Sequence, residues 1–262
     1  MKRDLTVSIV TVCYNSMKTI EDTLTSVHGQ TYPHIQHILV DGNSSDGTQD
    51  RIQRYAEAAT YPVKWISEPD QGIYDALNKG ITMADGEIIG ILHSDDLLAN
   101  PTVIERIVEQ FEQDGSDGIY GDLAFVDKDN IRQVKRLWIA GQGRFALGWS
   151  IPHQTLYLKR EVYQSFGLYL THMSNAADNE FILRVCKDGK INTSYINDVL
   201  VIMKLGGAST KNLSSSRKGF AEVQESYRLH GIRFPRVVNW IRLLGKGKQV
   251  IAARWSGYKI EL

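Results

Sequence analysis

Over the first hundred positions, apolar residues fall in short runs separated by polar, glycine-rich turns, and the runs alternate between two periods. Thr6–Cys13 is apolar and rich in β-branched residues, is closed by Asn15-Ser16, and reads as a buried strand. Thr19–Gln30 follows with Ile20, Leu24 and Val27 at helical spacing. Ile35–Val40 is a second strand ending at the turn signal Asp41-Gly42, Thr48–Ala59 a second helix and Val63–Ser67 a third strand. Ile73–Met83 is helical, with Ala76, Leu77, Gly80 and Ile81 on one side. Glu87–Leu92 is nearly all apolar and predicts a central strand. Asn100-Pro101 predicts the N-cap and first-turn proline of a helix through Phe111. Strands and helices alternating over short connections predict a parallel sheet covered by helices.

The rhythm then breaks. Gly118–Val126 and Ile131–Leu137, joined by Asp127-Lys128-Asp129-Asn130, predict a hairpin. Gln154–Leu158 predicts a strand, Asn179–Cys186 a helix, and Ile191–Tyr195 and Val199–Met203 two more short strands. An α/β half thus continues without a linker into a mixed half, giving an expected domain over residues 1–225 and a helical tail over 226–262.

At 262 residues, 42% hydrophobic and 23% charged, the chain is long enough for a core without disulfides or structural metals. Cys13 and Cys186 form no CxxC pair, which suits a reducing compartment. No run approaches the roughly 18 apolar residues of a spanning helix. Met1-Lys2-Arg3 before an apolar run invites a signal-peptide reading. Asp4 interrupts the basic region, however, and no small-x-small site precedes Asn15, so a strand is expected there instead.

Thirty basic residues balance thirty acidic ones, which argues against a nucleic-acid-coating protein. The balance is uneven. Ser226 to Ile260 holds no Asp or Glu but eight cations, from Arg228 to Lys259, leaving the rest at a net of −8. Apolar residues including Phe234, Val237, Trp240, Ile241, Leu244, Ile251 and Trp255 are interleaved with them. This pattern fits either a helix on an anionic membrane surface or a helix packed on the domain with solvated cations.

In an open parallel sheet, ligands bind beyond the carboxyl ends of the strands. The loops there read Thr11-Val12-Cys13-Tyr14-Asn15, Asp41 to Thr48, Glu68 to Gly72, and His93-Ser94-Asp95-Asp96. The first contains no glycine, which excludes a GxGxxG dinucleotide site. Asp95-Asp96 places two carboxylates after an apolar strand, where repulsion and burial call for a cation. Hard oxygen donors suit Mn²⁺ or Mg²⁺ holding a diphosphate. Asp41 either shapes a turn or accepts hydrogen bonds from a base or ribose, and one of Ser44, Ser45 or Asp46 is expected to cap the next helix. Asp70 divides in the same way between turn and ligand contact. Asp178, at the start of an apolar helix, is either its cap or a base that takes a proton from a sugar hydroxyl. Gly207 and Ser209 lie in either a phosphate-contacting loop or a flexible connection. His153 and Gln154 are candidate diphosphate or acceptor contacts, although a lone histidine opening a strand is more often structural.

Taken together, VSIVTVCYNS (7–16), HILVDGNSSDGT (37–48), EPDQGIYDALNKG (68–80), GEIIGILHSDD (86–96), IPHQTLYLKREVY (151–163) and AADNEFILRV (176–185) resemble the family 2 inverting glycosyltransferases of bacterial surface polysaccharide synthesis. The resemblance implies a GT-A fold, with a mainly parallel nucleotide-binding sheet continuous with an acceptor-side half. It also implies Thr11, Tyr14, Asp41 and Asp70 around the nucleotide, Asp95 and Asp96 on ribose, metal and diphosphate, and Asp178 as the catalytic base. Ser94 stands where a strict D-x-D would begin, and Asp96 is preferred for the metal with Asp95 nearer the ribose. A uracil nucleotide sugar as donor, a lipid-linked saccharide as acceptor and a place on the cytoplasmic face of the inner membrane follow from the same resemblance. The rival readings are a non-catalytic sugar-nucleotide-binding module and a nucleotidyltransferase. The latter would usually need a basic, glycine-rich phosphate loop that Val12–Ser16 lacks.

Overall fold

In a computed structural model that describes residues 4–206 and 213–255, the alternating runs of the first half form β1 (Val7–Cys13), α1 (Ile20–His28), β2 (Ile35–Asp41), α2 (Thr48–Ala58), β3 (Val63–Ser67), α3 (Ile73–Met83) and β4 (Ile88–Ile91). The sheet order there is β3-β2-β1-β4, all parallel, with Val7 opposite Ile35 on one side and Ile88 on the other. Every residue of β1 and β2 is buried, as a parallel sheet covered on both faces requires. The strand period divides the core. Val7, Ile9 and Ile88 join one apolar cluster with Ile104, Ile107 and Phe111, while Val10, Val12 and Ile89 join another with Leu77 and Phe181. Gly80 lets α3 lie close on β1, since a Cβ there would come within 2.4 Å of Val10 Cγ1.

The second half extends the same sheet as β4-β8-β6-β9-β5, with β7 on the outer part of β6. β5 is Asp96–Leu98, β6 Gly118–Val126, β7 Val134–Trp138, β8 Tyr157–Lys159 and β9 Thr193–Lys204. β6 and β9 run parallel to each other, β8 is antiparallel to β4 and β6, and β5 is antiparallel to β9. The expected hairpin is present as β6–β7. The mainly parallel GT-A arrangement therefore stands, and it seats three short antiparallel strands.

Local expectations are corrected at several places. The two strands expected between Ile191 and Met203 are one strand, β9, whose pairing with β6 shifts register around Asp122. Gln154 lies in a 3₁₀ turn, His153–Thr155, and the strand starts only at Tyr157. The helix expected from Asn100-Pro101 is α4 (Val103–Asp114). Asn100 Oδ1 instead accepts from the Thr102 N–H and hydroxyl, closing a turn ahead of it. β5 and the helix α5 (Arg160–Phe166) were not anticipated, because three and seven residues are too few for a period to show.

α6 (Ala177–Cys186) is followed, beyond β9, by α7 (Leu213–Leu229) and α8 (Pro235–Trp255). α7 runs through the expected boundary at 225/226, so the acid-free segment starts inside a helix. Val223 and Tyr227 of α7 pack with Leu183 of α6 and with Ala176 just before it, and with Ile232 and Val238. α8 lies along β7 and α7.

Candidate functional site

The loops beyond β1, β2 and β4 are tied into one platform. The Asn15 N–H donates to Ser44 Oγ (2.7 Å), the Ser45 N–H to Asn15 Oδ1 (3.0 Å), the Ser16 N–H to Thr48 Oγ1 (2.9 Å) and the Met17 N–H to Asp46 Oδ2 (3.1 Å). Asn15 and Asn43 adopt positive φ, a conformation asparagine tolerates. Asp46, the member of the Ser44–Asp46 trio nearest α2, accepts from the Thr48 N–H and hydroxyl. Ser94, in the place of a leading aspartate, bonds Ser16 through the two hydroxyls at 2.9 Å and so brings the β4 loop to the other two.

Two expected nucleotide contacts are turned inward. Thr11 is fully buried, with its hydroxyl 3.0 Å from His37 Nε2. Burial holds His37 down at about 3, so that ring stays neutral. The Asp41 carboxylate is also buried and accepts from the Ser44 N–H and hydroxyl and from the Ser67 hydroxyl. Its side chain shapes the loop. Tyr14, by contrast, is 65% exposed. Tyr14 and Asp70 close over Gly42, where a Cβ would come within 2.6 Å of Asp70 Oδ2 and 3.3 Å of the Tyr14 ring. Asp70 also accepts from the Gly72 N–H, so it is part turn and part rim.

Asp96 opens β5 opposite Met203, and its side chain is 0% exposed. Neither carboxylate oxygen has a hydrogen-bond partner among the described residues. Burial, then the neighbouring Asp95, pushes its pKa well above the usual carboxylate range, partly opposed by Lys204. A buried carboxylate without partners is stable as an acid or beside a cation. No group of three or more His, Cys, Asp or Glu side chains among the described residues could hold a metal. A divalent cation held by Asp95 and Asp96 would therefore need its other ligands from outside the protein, such as phosphate and water.

Asp178 lies in the first turn of α6, not at its N-cap position, which Ala176 occupies without a side-chain bond. The backbone before it is fixed by α7, since Glu222 accepts from the N–H groups of Ser174 and Asn175. Glu180 pairs with Arg184 one turn along the same helix and ties that helix to His230, just beyond α7. Asp178 Oδ1 accepts from the Tyr74 hydroxyl of α3 (2.8 Å), and Oδ2 lies 2.9 Å from His153 Nδ1. Burial alone would raise this carboxyl. The His153 charge and the hydrogen bonds from His153 and Tyr74 outweigh it and hold the group at about 2. His153 Nε2 is in turn 2.9 Å from Nε2 of His93, the residue that leads into Ser94-Asp95-Asp96.

The fold thus joins Asp178, His153 and Tyr74 and links them through His93 to the paired carboxylates. Gln154 is buried with its amide on Met203 Sδ, and Gly207 and Ser209 lie outside the described residues. Tyr74 and His93 were not anticipated. Tyr74 sits on an ordinary helix, and His93 reads as a loop residue until its neighbour across 60 positions is known.

The chain has relatives among known proteins. Residues 8–174 match the family described as Glycosyl transferase family 2. An uncharacterized glycosyltransferase of Mycobacterium tuberculosis is 33% identical over 187 residues, covering 68% of each chain. A PGL/p-HBAD biosynthesis glycosyltransferase of Mycobacterium bovis is 26% identical over 245 residues, covering 91% of this chain and 92% of its own. Among solved structures, S. aureus TarS 1-349 in complex with UDP-GlcNAc superposes with a TM-score of 0.70 at 15% identity, over 97% of this chain and 73% of that one. The chain spans 50% of a longer TarS chain. A mannosyltransferase from Pyrobaculum calidifontis in complex with GDP-Man and Mn²⁺ gives 0.64 at 19% identity, over 97% and 76%.

Proposed function

The chain belongs to glycosyl transferase family 2, and on that premise we propose that it is a metal-dependent inverting enzyme that moves a sugar from a uracil nucleotide sugar to a hydroxyl of a lipid-linked saccharide. The observation that carries this reading is the Asp178 carboxylate, ionised and fixed by two donors, within one hydrogen-bonded chain of the Asp95-Asp96 loop. A binding module would need no such base.

Tyr14 and Asp70 supply the exposed rim on which the base and ribose rest, with Asp95 beyond it on the ribose. Asp95 and Asp96 would hold a divalent cation, Mn²⁺ or Mg²⁺, whose chemistry is to neutralise charge on a departing diphosphate. Asp178 takes the acceptor hydroxyl proton as the new C–O bond forms at the anomeric carbon. The bond to the diphosphate breaks on the opposite side, and its electron pair leaves with the nucleoside diphosphate. One displacement converts an α-linked donor into a β-linked product. The complexes of TarS with UDP-GlcNAc and of the Pyrobaculum enzyme with GDP-Man and Mn²⁺ support this reading by shared fold. A mass-spectrometric screen of sugar nucleotides against lipid-diphosphate-linked acceptors, with the product's anomeric configuration read by NMR, tests it. A β-linked product with nucleoside diphosphate release is expected. Retention of configuration, pyrophosphate release, or donor binding without any product each overturns it.

The acceptor places the chemistry at the cytoplasmic membrane face. No helix among the described residues is long and apolar enough to cross a membrane. α8 packs on the domain through Val238 and Asn239 but leaves Val237, Trp240 (60%), Ile241, Leu244 (73%) and Ile251 exposed at helical spacing, among cations with no carboxylate. An apolar stripe rimmed by cations suits an anionic bilayer, at about 1 kcal/mol per cation near the surface. Binding to anionic vesicles is expected at low salt and is expected to fall steeply in high salt. It should fall also in a Trp240→Ser, Leu244→Ser double variant. Equal binding by that variant, or none by the intact protein, overturns the membrane assignment.

A further inference from the structure

Resting on Asp178 as the base, we propose that His153 is the positioning residue that fixes the Asp178 carboxylate for proton transfer, with His93 holding His153 from behind. A carboxylate in the first turn of a helix can rotate about its side-chain bonds. Here two donors from distant parts of the chain take one oxygen each, Tyr74 on Oδ1 and His153 on Oδ2. Each oxygen keeps a second lone pair, so the plane is set while proton-accepting capacity remains.

The mount of His153 is rigid. Its 3₁₀ turn is fastened to β6 by the Thr155 hydroxyl, which donates to Gly121 C=O at 2.9 Å, and to β9 by the Gln154 amide on Met203 Sδ. The titratable groups facing His153 are His93 from the loop after β4, Asp178 from α6 and, through that carboxylate, Tyr74 from α3. β6 and β9 reach the turn through the uncharged Gly121 and Met203. His153 and Asp178 are 22% and 24% exposed at their side chains, so the pair opens to the groove and is not sealed in the core.

The two Nε2 atoms at 2.9 Å can share only one proton. With His153 neutral, its Nδ1–H donates to Asp178 and its Nε2 accepts from the His93 Nε2–H. Asp178 is then aimed without facing a full positive charge.

The test compares wild type with His153→Ala and His153→Asn, using the donor and acceptor pair found by the screen. His153→Ala is expected to lower kcat by roughly 10- to 100-fold, the usual worth of an outer partner that orients a reacting side chain, with donor KM within about twofold. His153→Asn keeps an N–H near the Nδ1 position and is expected to recover most of that loss. Without substrate, ¹⁵N shifts of wild-type protein should show a proton on Nδ1 of His153, a readout that stands even if His153→Ala does not fold. A kcat within twofold of wild type in His153→Ala, no recovery in His153→Asn, or an Nδ1 without a proton at His153 overturns the proposal. Full turnover in Asp178→Asn would instead overturn the base assignment itself, so the two failures are distinguishable.

Discussion

Replacing Asp178 with Asn is expected to lower turnover by about 10²- to 10⁴-fold, the range that general base catalysis usually supplies. Asparagine keeps the size of the side chain and can still accept from the Tyr74 hydroxyl, but it takes up no proton. The stability cost has a ceiling. Asp178 sits at about 2, against 3.8 for a free carboxyl, a difference worth roughly 2 kcal/mol. Because the folded value is depressed, that stability is present above about pH 4 and is lost as pH falls toward 2. The variant should therefore remain folded at neutral pH, and its donor affinity should survive because Tyr14, Asp70 and Asp95 are untouched. Calorimetry with the donor, a thermal melt and steady-state turnover separate these effects. Near-normal turnover would show that Asp178 only stabilises the start of α6.

The second large effect concerns the buried pair. Transfer is expected to vanish in excess chelator and to return with Mn²⁺ or Mg²⁺, and Asp96→Asn is expected to abolish that recovery. A substrate-free signature accompanies it. The folded-state pKa of Asp96 is raised, so the folded protein holds this proton more tightly than the unfolded chain. Stability contributed by the neutral carboxyl is therefore lost as pH climbs from about 4 toward the folded value. The slope is about 1.4 kcal/mol per pH unit, roughly 3–5 °C in Tm. A divalent cation should oppose the loss, and Asp96→Asn should flatten the slope and remove the response to Mn²⁺. Melts across pH, with chelator and with Mn²⁺, measure this directly. Undiminished transfer in excess chelator would remove the metal from the mechanism.

Both predictions concern residues visible in the linear sequence, while the partnerships that tune Asp178 were not. Asp178 and Asp96 stand out because an acid beside an apolar run needs a reason to be there. Tyr74, His93 and His153 become partners of Asp178 only when α3, the end of β4 and the turn before β8 converge. Conversely, Thr11 and Asp41 lie in matching motifs, and only the structure shows that their side chains hydrogen-bond within the sheet and its loop.

The sequence by itself determined the alternation of β1 to α4 and the edge of the sheet at which polar loops collect. It also determined the acid-free character of the tail. These are local properties, set by residue period and composition over windows of about ten residues. Only the tertiary structure decided the placement of β5 and β8, which are three residues each and form because a neighbouring strand offers free backbone groups. Only it decided that Asp96 is buried without a partner, since burial depends on what β9 lays across it. Only it made His153 a neighbour of Asp178, 25 positions away, and of His93, 60 positions away. A hydrogen bond depends on separation in space, and no period in the chain encodes that separation.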